Sequence, residues 1–295
     1  MAPLQIRDDR GRLLRFLAPP ERIVSLVPSD TYTLARLGGE ARLVGRTEYC
    51  VEPPSVASVP TVGGTKNPDV DRIVALAPDV VLMNQEENRK ADVEAMEAAG
   101  LRVFVTFPKR VEDGAAQVAK LARLLGEPTA LVKGLVRFAY QALRDAEAAR
   151  RDRPPMRVFV PIWMDPLMTV HGDTFISDQL DLLGAVNVFS DRRRRYPLAA
   201  DLGRAPEDAS ARTADRDTRY PRVTLDEVRD RAPELVLLPD EPHAFGEADA
   251  EVFRSLAIPA ASSGAIVFCS GRDLMWPGLR AIEGIARLGE LIRRR

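Results

Sequence analysis

The stretch that decides the fold is Asn67–Leu82, NPDVDRIVALAPDVVL. Val70, Ile73, Val74 and Ala77 fall on one helical face. Asn67 can cap that helix, Pro68 suits its first position, and Asp69 favours the positive end of its dipole. Pro78 and Asp79 end it, and Val80–Met83 is a short, wholly apolar run of the kind a buried parallel strand uses. The same helix-to-strand step returns later. APDVVLMNQEEN runs from Ala77 to Asn88, and APELVLLPDEPH from Ala232 to His243.

The neighbourhoods of the two phrases match in order. RIVSLVP from Arg22 and RVFVPIW from Arg157 are apolar strands closed by a turn. An amphipathic helix and a further strand follow each phrase: ADVEAMEAAG then LRVFVTF, and ADAEVFRSLA then a weak strand at IPAAS. Leu4–Phe16 reads as a hairpin turning at DDRG, and RLVGRTEY as a second short strand of the first copy. Ser29 or Asp30 can cap a helix over 31–37, and Thr224 with Glu227 forms a capping box. Helix and strand alternating with short connections is the grammar of a parallel α/β sheet.

Between the copies, Glu112–Arg150 carries no strand signal. Its second part, 129–151, is one long helix with a broad apolar face. The expected organisation is two Rossmann-like α/β lobes with parallel sheets. Residues 1–126 form the first, 127–153 a single connecting helix, and 154–295 the second. The stretch 191–219, rich in Arg, Asp, Ala and Pro, reads as a mobile surface loop, with the Arg192–Arg195 run either solvated or set against an anion.

Composition narrows the function. A net charge of −1 gives no overall field for nucleic acid. No apolar run approaches the roughly 20 residues of a membrane helix, so a chain that does not span a membrane is expected. Two Cys and two His exclude a disulfide framework and a closely spaced zinc site. Whether Cys50 meets Cys269 is left open. The sequence holds no G-x-S-x-G, H-E-x-x-H, Walker loop or G-x-G-x-x-G after a strand, so no enzyme activity is expected. The N-terminus has no apolar segment of the secretory kind, which reads as cytoplasmic as written.

The segments DDRGR…PPERIVSLVPS, LVGRTEYCVEPP, VGGTKNPDVDRIVALAPDVVL, the long central helix, RYPRVTLDEV and APELVLLPDEP together resemble the helical-backbone substrate-binding proteins of ABC importers. LVGRTEYC and NPDVDRIVALAPDVVL lean towards the vitamin B12-binding branch, beside the haem- and ferric siderophore-binding ones. The resemblance implies an extracytoplasmic protein that holds a corrinoid, haem or metal chelate in a cleft between two lobes. It also implies a monomer that needs no resident cofactor and partners an ABC permease dimer. A cytosolic relative that uses the same cleft as a sensor, an interaction protein or a cofactor-modifying enzyme is the alternative.

Ligands of α/β sheets lie beyond the carboxyl ends of the strands, which selects the candidate residues. Tyr49, Trp163 and Trp276 are candidate flat walls for a large planar ligand, with Asp165 in the Trp163 loop and Phe175 in the separate loop that begins at His171. Ser29, with Thr31, is a candidate anion contact or a simple cap. Cys50 is a candidate thiolate or a small buried apolar residue. His171 is a candidate axial ligand to cobalt or iron, and His243 a parallel one; no other metal ligand is assigned. By the resemblance, Glu86, Glu87 and Glu241 are expected to meet arginines of the importer; solvated loop acids are the other reading.

Overall fold

The computed structural model describes residues 3–126, 129–151, 153–208 and 216–293. They divide into two compact units. Unit 1 comprises Met1–Pro108, Glu112–Gln141 and Trp276–Ile282; unit 2 comprises Lys109–Val111, Ala142–Met275 and Glu283–Arg295. The division therefore falls inside the long helix and gives Trp276–Ile282 to unit 1, where the sequence reading kept all of 154–295 together.

Unit 1 begins with the antiparallel hairpin β1 (Leu4–Arg7) and β2 (Leu13–Phe16). There follow β3 (Ile23–Ser25), α1 (Pro28–Arg36), β4 (Leu43–Arg46), α2 (Val70–Ala75), β5 (Val80–Asn84), α3 (Lys90–Ala98) and β6 (Val103–Thr106). Next come α4 (Val111–Leu124) and the long α5 (Ala130–Arg150). The main sheet has the order β4-β3-β5-β6, all parallel. Val24, Val81, Met83 and Val105 of its strands pack with Ile73 of α2 and Met96 of α3.

Unit 2 contains β7 (Met156–Phe159), the hairpin strands β8 (Trp163–Met164) and β9 (Leu167–Met168), α6 (Phe175–Leu182) and β10 (Ala185–Asn187). It continues with α7 (Leu198–Asp201), α8 (Leu225–Arg231), β11 (Leu235–Pro239), α9 (Glu247–Arg254) and α10 (Pro259–Ser262). It closes with β12 (Ile266–Cys269), α11 (Gly271–Met275) and the end of α12 (Leu279–Arg293). Its sheet order is β10-β7-β11-β12, again all parallel. The first main strand of each unit thus lies second in its sheet, beside the strand of the repeated phrase. Phe159 anchors the core, with ring centroids 5.3 Å from Phe189 and 5.8 Å from Phe253.

The repeated phrase is stitched alike in both units. Asp79 N–H donates to the Arg22 carbonyl, and an Asp79 carboxylate oxygen accepts from the amides of Glu21 and Arg22. Glu234 does the same with Arg157. The Arg22 guanidinium donates to the carbonyls of Leu76 and Ala77, and that of Arg157 to those of Arg231 and Ala232. These are carbonyls that a helix end leaves without a partner. Ala77 and Ala232 both have φ 44°, the left-handed turn that points each chain from helix into strand. A non-glycine residue there costs about 1–2 kcal/mol, which the two arginine clamps help offset.

Several local expectations shift. The cap of α2 is Asp69, whose side chain accepts from Arg72 N–H, rather than Asn67. α1 starts at Pro28 after Val27, with no side-chain cap. IPAAS is not a strand: Pro259 opens α10, and β12 comes later. The Thr224–Glu227 capping box is present. Of the expected loop 191–219, residues 209–215 lie outside the described residues. Most of the remainder is exposed, as a surface loop would be, but the Arg192–Arg195 run is not wholly solvated. Arg192 is 4% exposed and ion-paired with Asp201 and Glu227, and Asp201 also accepts from the amides of Arg195 and Arg222. The reason is non-local: the acids that hold Arg192 lie on α7 and α8.

Candidate functional site

In unit 1 the loops after β3, β4 and β5 are joined by two asparagines. Asn84 Oδ1 accepts from the amides of Glu86 and Glu87, and Asn84 N–H donates to Asn88 Oδ1. Asn88 Nδ2 then donates to the carbonyls of Leu26 and Thr65. Lys66 Nζ donates to the Glu86 carbonyl, and burial holds its pKa below the ordinary lysine value. Position after a strand marks Lys66 and Asn84 in the sequence without giving either a role, and Asn88 falls outside those strand-end residues. The only signal was the spacing N-x-x-x-N around two acids.

Tyr49 stands 56% exposed above this loop system. Gly64 lies under it: a Cβ there would be 3.3 Å from Tyr49 Cε2 and 2.5 Å from Asn67 Oδ1, so only glycine leaves this floor undisturbed. Ser29 and Cys50 do not share Tyr49's exposure. Ser29 is 1% exposed. Thr31 Oγ1 lies 2.8 Å from Ser25 Oγ and 3.0 Å from the Val27 carbonyl, so it serves the interior rather than an anion or a cap. Cys50 is fully buried against Thr47 Oγ1, and burial raises its thiol pKa. Its role is that of a small core residue, not a thiolate ligand. Cys50 and Cys269 are both free.

Beside these lies a feature the sequence reading treated only as a cap, Asp30. It is completely buried, and burial raises its carboxyl to about 7, with Asp9 adding to the shift. Gln117 and Thr106 hydrogen-bond to it and oppose the shift. Thr106 Oγ1 also meets Asn84 Nδ2 at 3.3 Å, which ties the buried acid to the Asn84 loop.

In unit 2 the β8–β9 hairpin raises Trp163, which is 43% exposed. Its indole N–H donates to the Asp165 carbonyl, fixing the ring on its own turn, and Asp165 is exposed beside it. The Trp163 ring lies edge-on to His243 at 5.6 Å, and His243 to Phe245 at 4.5 Å. His243 Nε2 is 3.3 Å from Asp249 Oδ2. The row Trp163–His243–Phe245 comes from two different strand ends and has no local signature in the sequence.

Three further candidates are corrected. Phe175 opens α6 but is 5% exposed, packed inward behind its cap Thr174. Trp276 is 8% exposed and offers no open wall. His171 is 9% exposed, and its Nδ1 accepts from Asp173 N–H, which puts the proton on Nε2. Burial and then Arg193 hold its pKa below the ordinary value, in the direction that favours the neutral ring. A nitrogen that carries the proton cannot act as an axial ligand without giving up this arrangement. Among the described residues no group of three or more His, Cys, Asp or Glu is placed to hold a metal ion, and no helix is long and apolar enough to cross a membrane.

The acids expected to dock are placed differently in the two units. Glu86 and Glu87 are half-buried in the loop Asn84 holds, whereas Glu241 is 3.5 Å from Arg272 Nε.

Comparison with known proteins adds the family. The family model described as periplasmic binding protein matches residues 23–211. The vitamin B12-binding protein of Yersinia pestis is 30% identical over 179 residues, which is 60% of this chain and 63% of that relative. The chain thus matches less than two thirds of the length of such relatives. Among solved structures, the periplasmic vitamin B12-binding protein BtuF of Vibrio cholerae superposes with a TM-score of 0.74 at 18% identity, covering 94% of this chain and 98% of its own. The periplasmic haem-binding protein RhuT of Roseiflexus gives 0.73 at 18% identity, covering 93% and 98%. Helicobacter pylori CeuE in its nickel–histidine complex gives 0.77 at 12% identity, covering 99% and 89%. At these identities the structures speak for the fold alone.

Proposed function

The chain belongs to the periplasmic binding protein family, a family of binders rather than enzymes, and on that premise we propose that it is the extracytoplasmic substrate-binding protein of an ABC-type importer. Its ligand in this reading is a large planar metal chelate, a corrinoid first and haem or a ferric siderophore next. The observation that carries the proposal is Trp163. An aromatic ring 43% exposed, pinned by its own N–H and backed by His243 and Phe245, is a ready flat wall. Tyr49 of unit 1 is a further proposed ligand contact, and Asp165 a polar contact beside Trp163. The named ligands of the similar proteins, vitamin B12 and haem, have this shape. Glu86, Glu87 and Glu241 are the proposed importer contacts.

The test is a fluorescence titration with cobalamin, haem and ferric siderophores. Trp276 is buried and Trp163 exposed, so quenching on ligand binding should fall mainly on Trp163. Trp163→Ala should weaken cobalamin binding by about tenfold or more, the loss of roughly 1.4 kcal/mol or more of contact. No response to any of the three ligands defeats the reading.

A further inference from the structure

Unit 1 carries a concave site lined by none of the strand-end loop residues named above. A groove of about 850 Å³ lies between the β1–β2 hairpin with the segment after it, α4 and the start of α5. Leu4, Pro19, Ala119, Val132 and Val136 line it, and no acid does among the described residues. Gly126 closes one end at φ 102°; a Cβ there would sit 2.7 Å from Pro19 Cγ. The size is that of a small-molecule pocket.

Among the described residues that line it, the charged ones are all basic. Arg123 of α4 and Lys133 and Arg137 of α5 line the same groove and are exposed. Lys133 and Arg137 are four apart on one helix, where like charges repel. Lys133 closes the first turn of α5, which holds no acid, and a helix start disfavours cations. The described cations of the lining thus repel one another and favour an anion among them.

An apolar trough with a cationic edge matches one ligand chemistry. We propose that this groove takes the chain of a long-chain carboxylate, with its head group at Arg123, Lys133 and Arg137. The apolar lining takes up the methylenes, and the exposed guanidinium and ammonium groups meet the carboxylate without a large desolvation cost. None of these residues belongs to the proposed chelate site, so the two proposals stand or fall separately.

Isothermal titration of the full chain with octanoate, decanoate and dodecanoate below their micelle concentrations is the test. Saturable one-to-one binding should tighten by about threefold per added methylene. Dodecanol should bind at least about tenfold more weakly than dodecanoate, as a ligand that lacks the charged hydrogen bonds. Lys133→Glu with Arg137→Glu should lower dodecanoate affinity by a similar factor. Both positions are exposed, so the fold should survive, and a melting temperature unchanged from wild type checks it. Ala119→Phe should fill the trough and remove binding, while Lys133→Arg retains it. Absence of saturable binding, an affinity independent of chain length, or wild-type affinity in the charge-reversed variant overturns the proposal. So does binding to anionic lipid vesicles with none to free dodecanoate.

Discussion

The two units begin alike and diverge at one point, just after their first main strand. Asp30 and Asp165 stand equally far along the chain from Arg22 and Arg157, the two arginines that clamp the repeated phrase. In unit 1 the chain turns into α1 and buries Asp30 completely. In unit 2 it turns into the β8–β9 hairpin, which leaves Asp165 exposed and lifts Trp163. The repeated phrases diverge too. Asn84 ends β5 and organises the loop after it through three hydrogen-bonded groups, whereas Pro239 ends β11 and has no such side chain. There Asp240 takes over and accepts from Gly271 N–H. One scaffold has thus been given a polar, internally tied rim in unit 1 and an aromatic one in unit 2.

The largest way to sharpen this contrast is Asp30. A carboxyl raised from 3.8 to about 7 binds its proton more tightly folded than unfolded. Its contribution is therefore fully present below about pH 4 and is lost as pH rises to about 7, by on the order of 4 kcal/mol. Asp30→Asn should remove that slope. Urea unfolding at pH 4.5 and 7.5, read as the difference between wild type and variant, cancels the opposite effect of His171, whose depressed pKa costs stability as pH falls. Equal slopes in the two proteins would show that Asp30 is not held protonated.

A smaller effect separates the two loops. Asn84→Ala should cost about 2 kcal/mol, because two half-buried amides lose their acceptor, and should speed hydrogen exchange at Glu86 and Glu87. Pro239→Ala leaves the Asp240–Gly271 bond in place and should cost less than about 1 kcal/mol. Equal costs would erase the distinction between the rims. The smallest effect tests what the units share. Asp79→Ala gives up bonds to two amides and Glu234→Ala a bond to one. The expected losses are about 1–2 and about 1 kcal/mol by chemical denaturation, and a larger loss at Glu234 would break the equivalence of the clamps.

Reading by periodicity succeeded where the cause was local. Val80–Met83 and Leu235–Leu238 are buried strands because helices cover both faces of a parallel sheet, and the Thr224–Glu227 box forms within one helical turn. The candidate site was less legible. Tyr49, Trp163 and Asp165 are exposed as expected, but Ser29, Cys50, Phe175 and Trp276 are packed inside. A strand end marks where a loop starts and does not say which way each side chain turns.

The sequence by itself determined the two α/β units, the alternation of helix and strand in them, the long helix and the family, since periodicity, turn residues and motif are all written along the chain. Tertiary structure alone decided that Arg22 and Arg157 clamp the helix ends, and that Arg192 is an interior cation. It also set the proton of His171 on Nε2 and placed Trp163 against His243 and Phe245. Several of these join residues far apart in sequence, and all of them depend on burial and on which group faces which, quantities that no local window of the chain contains.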